Sequence, residues 1–253
     1  MKKKTSFRQQ GFNLVELLVA MAIGLLVLLA VSSVFVSTRS TGRGQDAVSR
    51  LQENLRFSFD AVGGAVRRAG YRYDPFAGYA PPGGFAADTL DGISFTAGQY
   101  IGGTASKLVV RYWGASDGLS RDCTGAAVPA GSAGIGNTPH WESWYVSGGN
   151  LVCKVKTNPN AATIIEGVEQ IRFEYGENTG GAGDSTRGVD VYHTNPASVS
   201  DWTDIAAVRM EILLASADNA VTSAQKYTFN GIETTPTDLR LRRVYTATFN
   251  VRN

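Results

Sequence analysis

No charged or strongly polar side chain occurs between residues 17 and 31, and the apolar run around this stretch extends over residues 12–36. As a helix rising about 1.5 Å per residue it covers roughly 37 Å, enough to cross a hydrocarbon core of about 30 Å. A helix is the natural form for such a run in lipid because it satisfies its own backbone groups, and the internal Gly24 is tolerated there. Residues 37–44 form a small, polar patch. Beyond it Val48, Leu51, Leu55, Phe59, Val62, Val66 and Ala69 step by three and four, which predicts one apolar helix face. Asp46, Arg50, Glu53, Arg56, Asp60 and Arg67 lie mostly off that face. Gly63 and Gly64 allow a close backbone approach or a bend, and Gly70 supplies a stop. The pattern therefore predicts one long helix from Phe12 to about Ala69, apolar all round over 12–36 and amphipathic over 37–70.

Residues 74–92, with Pro75, Pro81, Pro82, Gly83 and Gly84, read as a loop, and strand patterns follow from there to residue 253. Residues 107–113 are β-branched and aromatic, and residues 151–156 alternate apolar and basic. Ile171, Phe173 and Tyr175 face one way, with Arg172 and Glu174 opposite. Val208, Met210, Ile212 and Leu214 repeat the alternation, as do Tyr245, Ala247, Phe249 and Val251. These are half-buried antiparallel strands, separated by glycine-rich loops at 114–138 and 178–188. The fold class is α+β: one N-terminal helix whose amphipathic second half packs on an antiparallel β-sheet domain over 71–253.

Charge sets the orientation. Lys2, Lys3, Lys4 and Arg8 precede the apolar run with no acid among them, which keeps the N-terminus cytoplasmic and puts the remainder outside. An ordinary secretory signal shares the basic start, and a small-x-small site exists at Ala30-Val31-Ser32. Its apolar region, however, is about 7–15 residues and ends at its cleavage site. Glu16 stands at the head of the run, where a carboxylate costs on the order of 2.5–3.5 kcal/mol; it calls for a partner, or for a place at the headgroup level. In an oxidising compartment Cys123 and Cys153 form a disulfide rather than two reduced, buried thiols. Closing a loop of about 30 residues stabilises by roughly 3–4 kcal/mol in the chain-entropy model.

Little else suggests chemistry. His140-Trp141-Glu142 matches half of a zinc-deaminase signature, but no P-C-x-x-C follows. Gly103-Thr-Ala-Ser-Lys107 lacks P-loop spacing, and no G-x-S-x-G elbow occurs. Asp184 and Asp190 flank a loop with oxygen ligands but no EF-hand spacing, and a solvated loop is the better reading. Trp113, Trp141, Trp144 and Trp202 suit either a core or a groove. Arg67, Arg68 and Arg72 suit a solvated helix end or a partner contact. The formal charge of +2 includes four cations in residues 1–11 and falls to −2 without them, which disfavours nucleic acid despite Arg240, Arg242 and Arg243. No metal, cofactor or active site is expected.

Gly11-Phe12-Asn13-Leu14-Val15-Glu16 resembles the class III signal of type IV pilins and pseudopilins. The resemblance implies prepilin-peptidase cleavage of the 1–11 leader between Gly11 and Phe12 and N-methylation of Phe12. It also implies that Glu16 pairs with the Phe12 ammonium of a neighbouring subunit during assembly, a buried pair that sets register. Asn13 stands where the family more often has Ser or Thr, at a position that tolerates variation. Leu51-Gln52-Glu53-Asn54-Leu55-Arg56-Phe57 and Arg67-Arg68-Ala69-Gly70-Tyr71-Arg72 are similar to minor pilins of the PilW type. So is the order of the segments 166–175, 201–214 and 241–253; J-type pseudopilins of type II secretion share the first two of those loosely. The resemblance implies a pilin-like fold and a structural subunit rather than an enzyme. It implies a protein held in the bacterial inner membrane by one span and then carried through the periplasm to the pilus tip. Its partners would be the major pilin and other minor pilins, the inner-membrane assembly platform and a tip adhesin. The alternatives are a J-type pseudopilin, an anchored periplasmic enzyme and a DNA-capturing pilin.

Overall fold

The computed structural model describes residues 13–71, 85–115, 118–128, 139–180 and 188–251. The chain divides into two compact units, Met1–Asp46 and Ala47–Asn253. One α-helix, α1 (Leu14–Arg68), contributes to both. In the first unit its apolar side chains lie open: Leu14, Met21, Leu25, Leu29 and Val36 are each at least 60 % exposed. The run has a mean hydropathy of 2.8 and none of it is buried. Such a surface in water would forfeit roughly 1.5–3 kcal/mol per large apolar side chain, so it demands lipid or other apolar surface around it.

In the second unit α1 is amphipathic as its spacing predicts. Leu51, Val62, Ala65, Val66 and Ala69 are buried, with Leu55 and Phe59 packed beside them. Val48, expected on the same face, is exposed; Ala47 is partly buried against the core and Leu51 is the first buried residue of the helix. Gly70 ends the helix in the left-handed region (φ +77°), as a C-terminal glycine does without a Cβ penalty. Its N–H donates to the carbonyl of Arg111, and Trp113 N–H donates to Tyr71. The helix end is thus stitched to a strand.

Among the described residues the strands form four antiparallel sheets. A hairpin pairs β1 (Asp88–Leu90) with β2 (Ile93–Phe95). This corrects the loop reading of 74–92 at its end: Asp91 and Gly92 both have positive φ and make a tight turn. A five-stranded sheet runs β3 (Ile101–Gly103), β4 (Lys107–Tyr112), β5 (His140–Ser147), β6 (Asn150–Val155), β7 (Asn158–Glu166), each strand beside its sequence neighbour. The second main sheet has β8 (Val168–Glu177), β9 (Val191–His193), β10 (Ile205–Asn219) and β13 (Arg240–Asn250) in the order β13-β10-β8-β9. β11 (Tyr227–Phe229) and β12 (Ile232–Thr234) make a separate hairpin.

Register explains how α1 docks. Val208 pairs with both Tyr175 and Phe249, so those three share a face; Met210 lies between Phe173 and Ala247, and Ile212 between Ile171 and Tyr245. Phe249 meets Phe59 edge-on at 6.0 Å between ring centres. A Cβ built on Gly63 would lie 2.7 Å from the Phe249 ring, so glycine there makes room for the aromatic. On the opposite face Glu174 accepts from Arg172 (2.6 Å) and Arg209 (3.0 Å).

Candidate functional site

Two regions of α1 bear on function. At its N-terminal end the Glu16 N–H donates to the Asn13 carbonyl, which opens the first turn, and Glu16 is the acidic residue of that turn. A carboxylate there faces the unsatisfied N–H groups and the positive end of the helix dipole. No other acid or base occurs until Arg39. Gly11 and Phe12, the expected cleavage and methylation residues, lie outside the described residues.

At the other end the helix is fixed by a carboxylate the sequence pattern did not mark as important. Glu142, on β5, is fully buried. It accepts from Arg68 Nη2 at 3.0 and 3.1 Å, the Tyr112 hydroxyl at 2.7 Å, the Trp144 indole at 3.3 Å and the Cys123 backbone N–H at 3.0 Å. Arg68 therefore is not a solvated helix end: it pairs inward, while its neighbour Arg67 stays exposed. Burial first, and then the Glu142 charge, push the Tyr112 hydroxyl far above its ordinary range, so it stays a donor. The cluster joins α1, β4, β5 and the 118–128 loop through one group. Arg72 lies outside the described residues.

Cys123 and Cys153 are joined by a disulfide across 30 residues, with Cα atoms 6.4 Å apart. Glu142 approaches both sulfurs closely enough to suggest a metal cluster, but bonded sulfurs offer no thiolate. Beside this bridge His140 and Asp122 are buried with Nε2 and Oδ2 3.6 Å apart. Burial holds the His140 imidazole below its ordinary pKa; Asp122 opposes this, and Lys156 and Arg68 add to it. Asp122 Oδ1 accepts from Thr124 and Ala126 and folds the loop. The H-x-E triplet is thus structural: its histidine and acid serve different contacts.

Two other ion clusters are also architectural. Asp91, in the turn of the first hairpin, accepts from Lys154 (2.6 Å), Lys107 (2.9 Å) and Ser143 (2.7 Å). Burial alone would raise its carboxyl, but these bonds outweigh it and lower the pKa. Arg111 is wholly buried, donating to the carbonyls of Gln99, Ala86 and Thr96 between the faces of Phe85 and Phe95. Burial lowers it to about 10, offset in part by Asp88; it remains charged at neutral pH.

The arginines at 240–243 are mostly occupied within the fold. Glu169 takes Arg240 (2.8 Å) and Arg242 (2.7 Å), and Asp238 also binds Arg242. Arg243 bonds to Gln225 and lies exposed. A cluster so neutralised is a poor phosphate tracker. Asp190 accepts from the backbone and hydroxyl of Thr179, while Asp184 lies outside the described residues. Trp113 and Trp144 are core residues and Trp141 packs against the Leu90–Phe95–Val109 cluster; Trp202 stands edge-on to Tyr175, 4.7 Å away.

Comparison with known proteins places two separate parts of the chain. Residues 6–32 match the prokaryotic N-terminal methylation motif, and residues 144–253 match the family described as type IV pilus-assembly protein W. The chain is 42 % identical over 65 residues to the pilin-like protein PilA3 of Thermus thermophilus; the match covers 26 % of this chain and 28 % of that relative's length. A type IV-like pilin from Thermus thermophilus aligns over 80 % of this chain and 95 % of its own, at 14 % identity and a TM-score of 0.47.

Proposed function

We propose that this chain, whose residues 144–253 match the type IV pilus-assembly protein W family, is a minor pilin of the type IV pilus that helps prime pilus assembly and sits in the tip complex. The observation that carries the reading is the methylation motif over residues 6–32, which overlaps the first half of α1, where the large apolar side chains from Leu14 to Val36 are open to the surroundings. In this reading the protein is anchored in the inner membrane by residues 12–36, with its N-terminus cytoplasmic. Prepilin peptidase removes residues 1–11, Phe12 is N-methylated, and the assembly platform extracts the helix into the filament.

Glu16 has the central role. Once Phe12 is the N-terminus it carries an ammonium, and a carboxylate in lipid gains most from such a partner. Breaking a buried pair by removing one member costs about 3–5 kcal/mol, enough to select one axial register over a neighbouring one. The second unit supplies the specific contacts with the major pilin, other minor pilins and a tip adhesin. Its work is structural, with no substrate turned over.

Clean deletion of the gene, with surface pili, twitching and secreted enzymes scored together, tests the reading. Loss of pili and twitching with normal secretion supports it. Normal pili with blocked secretion would reassign the chain to the pseudopilins of type II secretion.

A further inference from the structure

A surface groove of about 490 Å³ lies in the second unit between β2, the turn from β3 to β4, and two 3₁₀ turns, Pro196–Ser198 and Trp202–Asp204. None of its ten lining residues is charged. That matters in a chain with 18 % charged residues, because the lining offers no formal charge to draw in phosphates, carboxylates or amines. Trp202 contributes an aromatic side chain, and Ala105, Pro196 and Ala197 keep the walls low.

The groove is held open by the fold. Tyr175 is fully buried; its ring packs against Trp202 on one wall, and its hydroxyl donates to the carbonyls of Thr104 and Lys107 on the other. The Trp202 turn is capped by Asp201, which accepts from Thr203 N–H at 2.8 Å and Thr203 Oγ1 at 2.7 Å. The Pro196 turn is capped by Asn195 Oδ1 on Ala197 N–H. Both caps place side chains on short, fixed segments, so little ordering cost remains for a ligand.

Three polar groups stay open. Among the described residues Ser94 Oγ, Asn195 Nδ2 and Trp202 Nε1 make no hydrogen bond. The main chain beside them is less available: the Ile101 carbonyl on edge strand β3 accepts from Gln99 Nε2 (2.8 Å), and Gln99 Oε1 takes Thr96 N–H. A peptide adding as a strand needs that edge. An uncharged ligand rich in hydroxyls, with an apolar face for the indole, needs only the side-chain groups. We infer that the groove binds a neutral saccharide, its pyranose ring against Trp202 and its hydroxyls on Ser94 and Asn195. This does not depend on the pilus assignment.

The test uses the full chain in lipid nanodiscs, avoiding sugar detergents, and titrates short neutral oligomers of N-acetylglucosamine, galactose and glucose. Saturation-transfer NMR and intrinsic fluorescence report binding. N-acetylglucosamine binding alone points to cell-wall glycan as the source, and galactose or glucose binding to a surface polysaccharide. The expected result is saturable binding by at least one series, weakened about tenfold or more in Trp202→Ala. Because Trp202→Ala also removes the Tyr175 contact, Ala197→Arg is the second variant: Ala197 is exposed, so the fold survives while the groove is blocked. No binding by any series, or equal binding by Ala197→Arg, overturns the inference. So does an uncharged extended peptide that binds the groove when no sugar does.

Discussion

Removing the Glu142 carboxylate tests whether one buried group holds the helix end to the sheet. In Glu142→Ala, Arg68 loses its partner, and Tyr112, Trp144 and Cys123 lose the acceptor to which they donate. An unsatisfied buried donor costs about 1–3 kcal/mol, and breaking a buried ion pair by deleting one member costs about 3–5 kcal/mol. These terms overlap, since water and side-chain shifts relieve several donors at once, so the expected loss is about 4 kcal/mol in all. Arg68→Met is milder, about 1–2 kcal/mol, because the Arg68 side chain is 38 % exposed and solvent screens its half of the pair, and the three neutral donors remain. Arg67→Met, one position away and exposed, changes stability by less than about 0.5 kcal/mol. Urea unfolding followed by tryptophan fluorescence, on the oxidised chain in nanodiscs, measures all three. With a slope of about 2 kcal/mol per molar urea, Glu142→Ala moves the midpoint down by about 2 M. A shift under about 0.3 M, or an Arg67 variant as damaging as the Arg68 one, would refute the clamp.

Replacing Cys123 and Cys153 together by serine lowers stability by about 3–4 kcal/mol, and added reductant then has no further effect on the melting temperature. Glu16→Ala leaves leader removal intact on immunoblots but depletes the protein from sheared pili; wild-type incorporation would sink the pairing argument. Gly63→Ala overpacks the Phe249 ring and costs about 1–3 kcal/mol, and Phe249→Leu in the same chain recovers part of it, as a double-mutant cycle shows. His140 titrates below its ordinary value in the fold because it is buried. Its stabilising contribution is therefore present above about pH 6.5 and lost as pH falls through the depressed folded value. The urea midpoint should drop between pH 7.5 and pH 5.5 in the wild type and drop less in His140→Gln.

The long helix was legible because its signal is periodic and redundant: many residues must misread together before the pattern fails. β8 and β10 were legible for the same reason, burying alternate residues, and β13 half-buries Tyr245, Ala247 and Phe249 in the same rhythm. β5 was not. Its sequence His140-Trp-Glu-Ser-Trp-Tyr-Val-Ser147 buries a carboxylate and a serine together with aromatics, so polarity and burial point opposite ways. The value of Glu142 lies in partners on three other segments, and no local pattern encodes those. The first hairpin hid behind prolines and glycines, although Leu90 and Ile93 flanking Asp91-Gly92 were a readable turn. Val48 misled in the other direction: it keeps the helical register but lies exposed, while Ala47 beside it packs against the core. Of the candidate site, Glu16 stands out in the sequence as a lone carboxylate at the head of the apolar run, whereas the Arg68 end reads only as an ambiguous cation.

The placement of β13 beneath α1 also bears on folding rate. Phe249 fills the space that Gly63 leaves, and Asn54 reaches the carbonyl of Glu166 across 112 residues. Contacts so distant in sequence close large loops before they return any energy, which slows folding relative to local topologies. α1 emerges from the ribosome well before β13, the strand that completes the helix's seat. Until β13 is made, the amphipathic half of α1 waits with part of its seat missing, and its apolar face stays open to encounters with other half-formed chains.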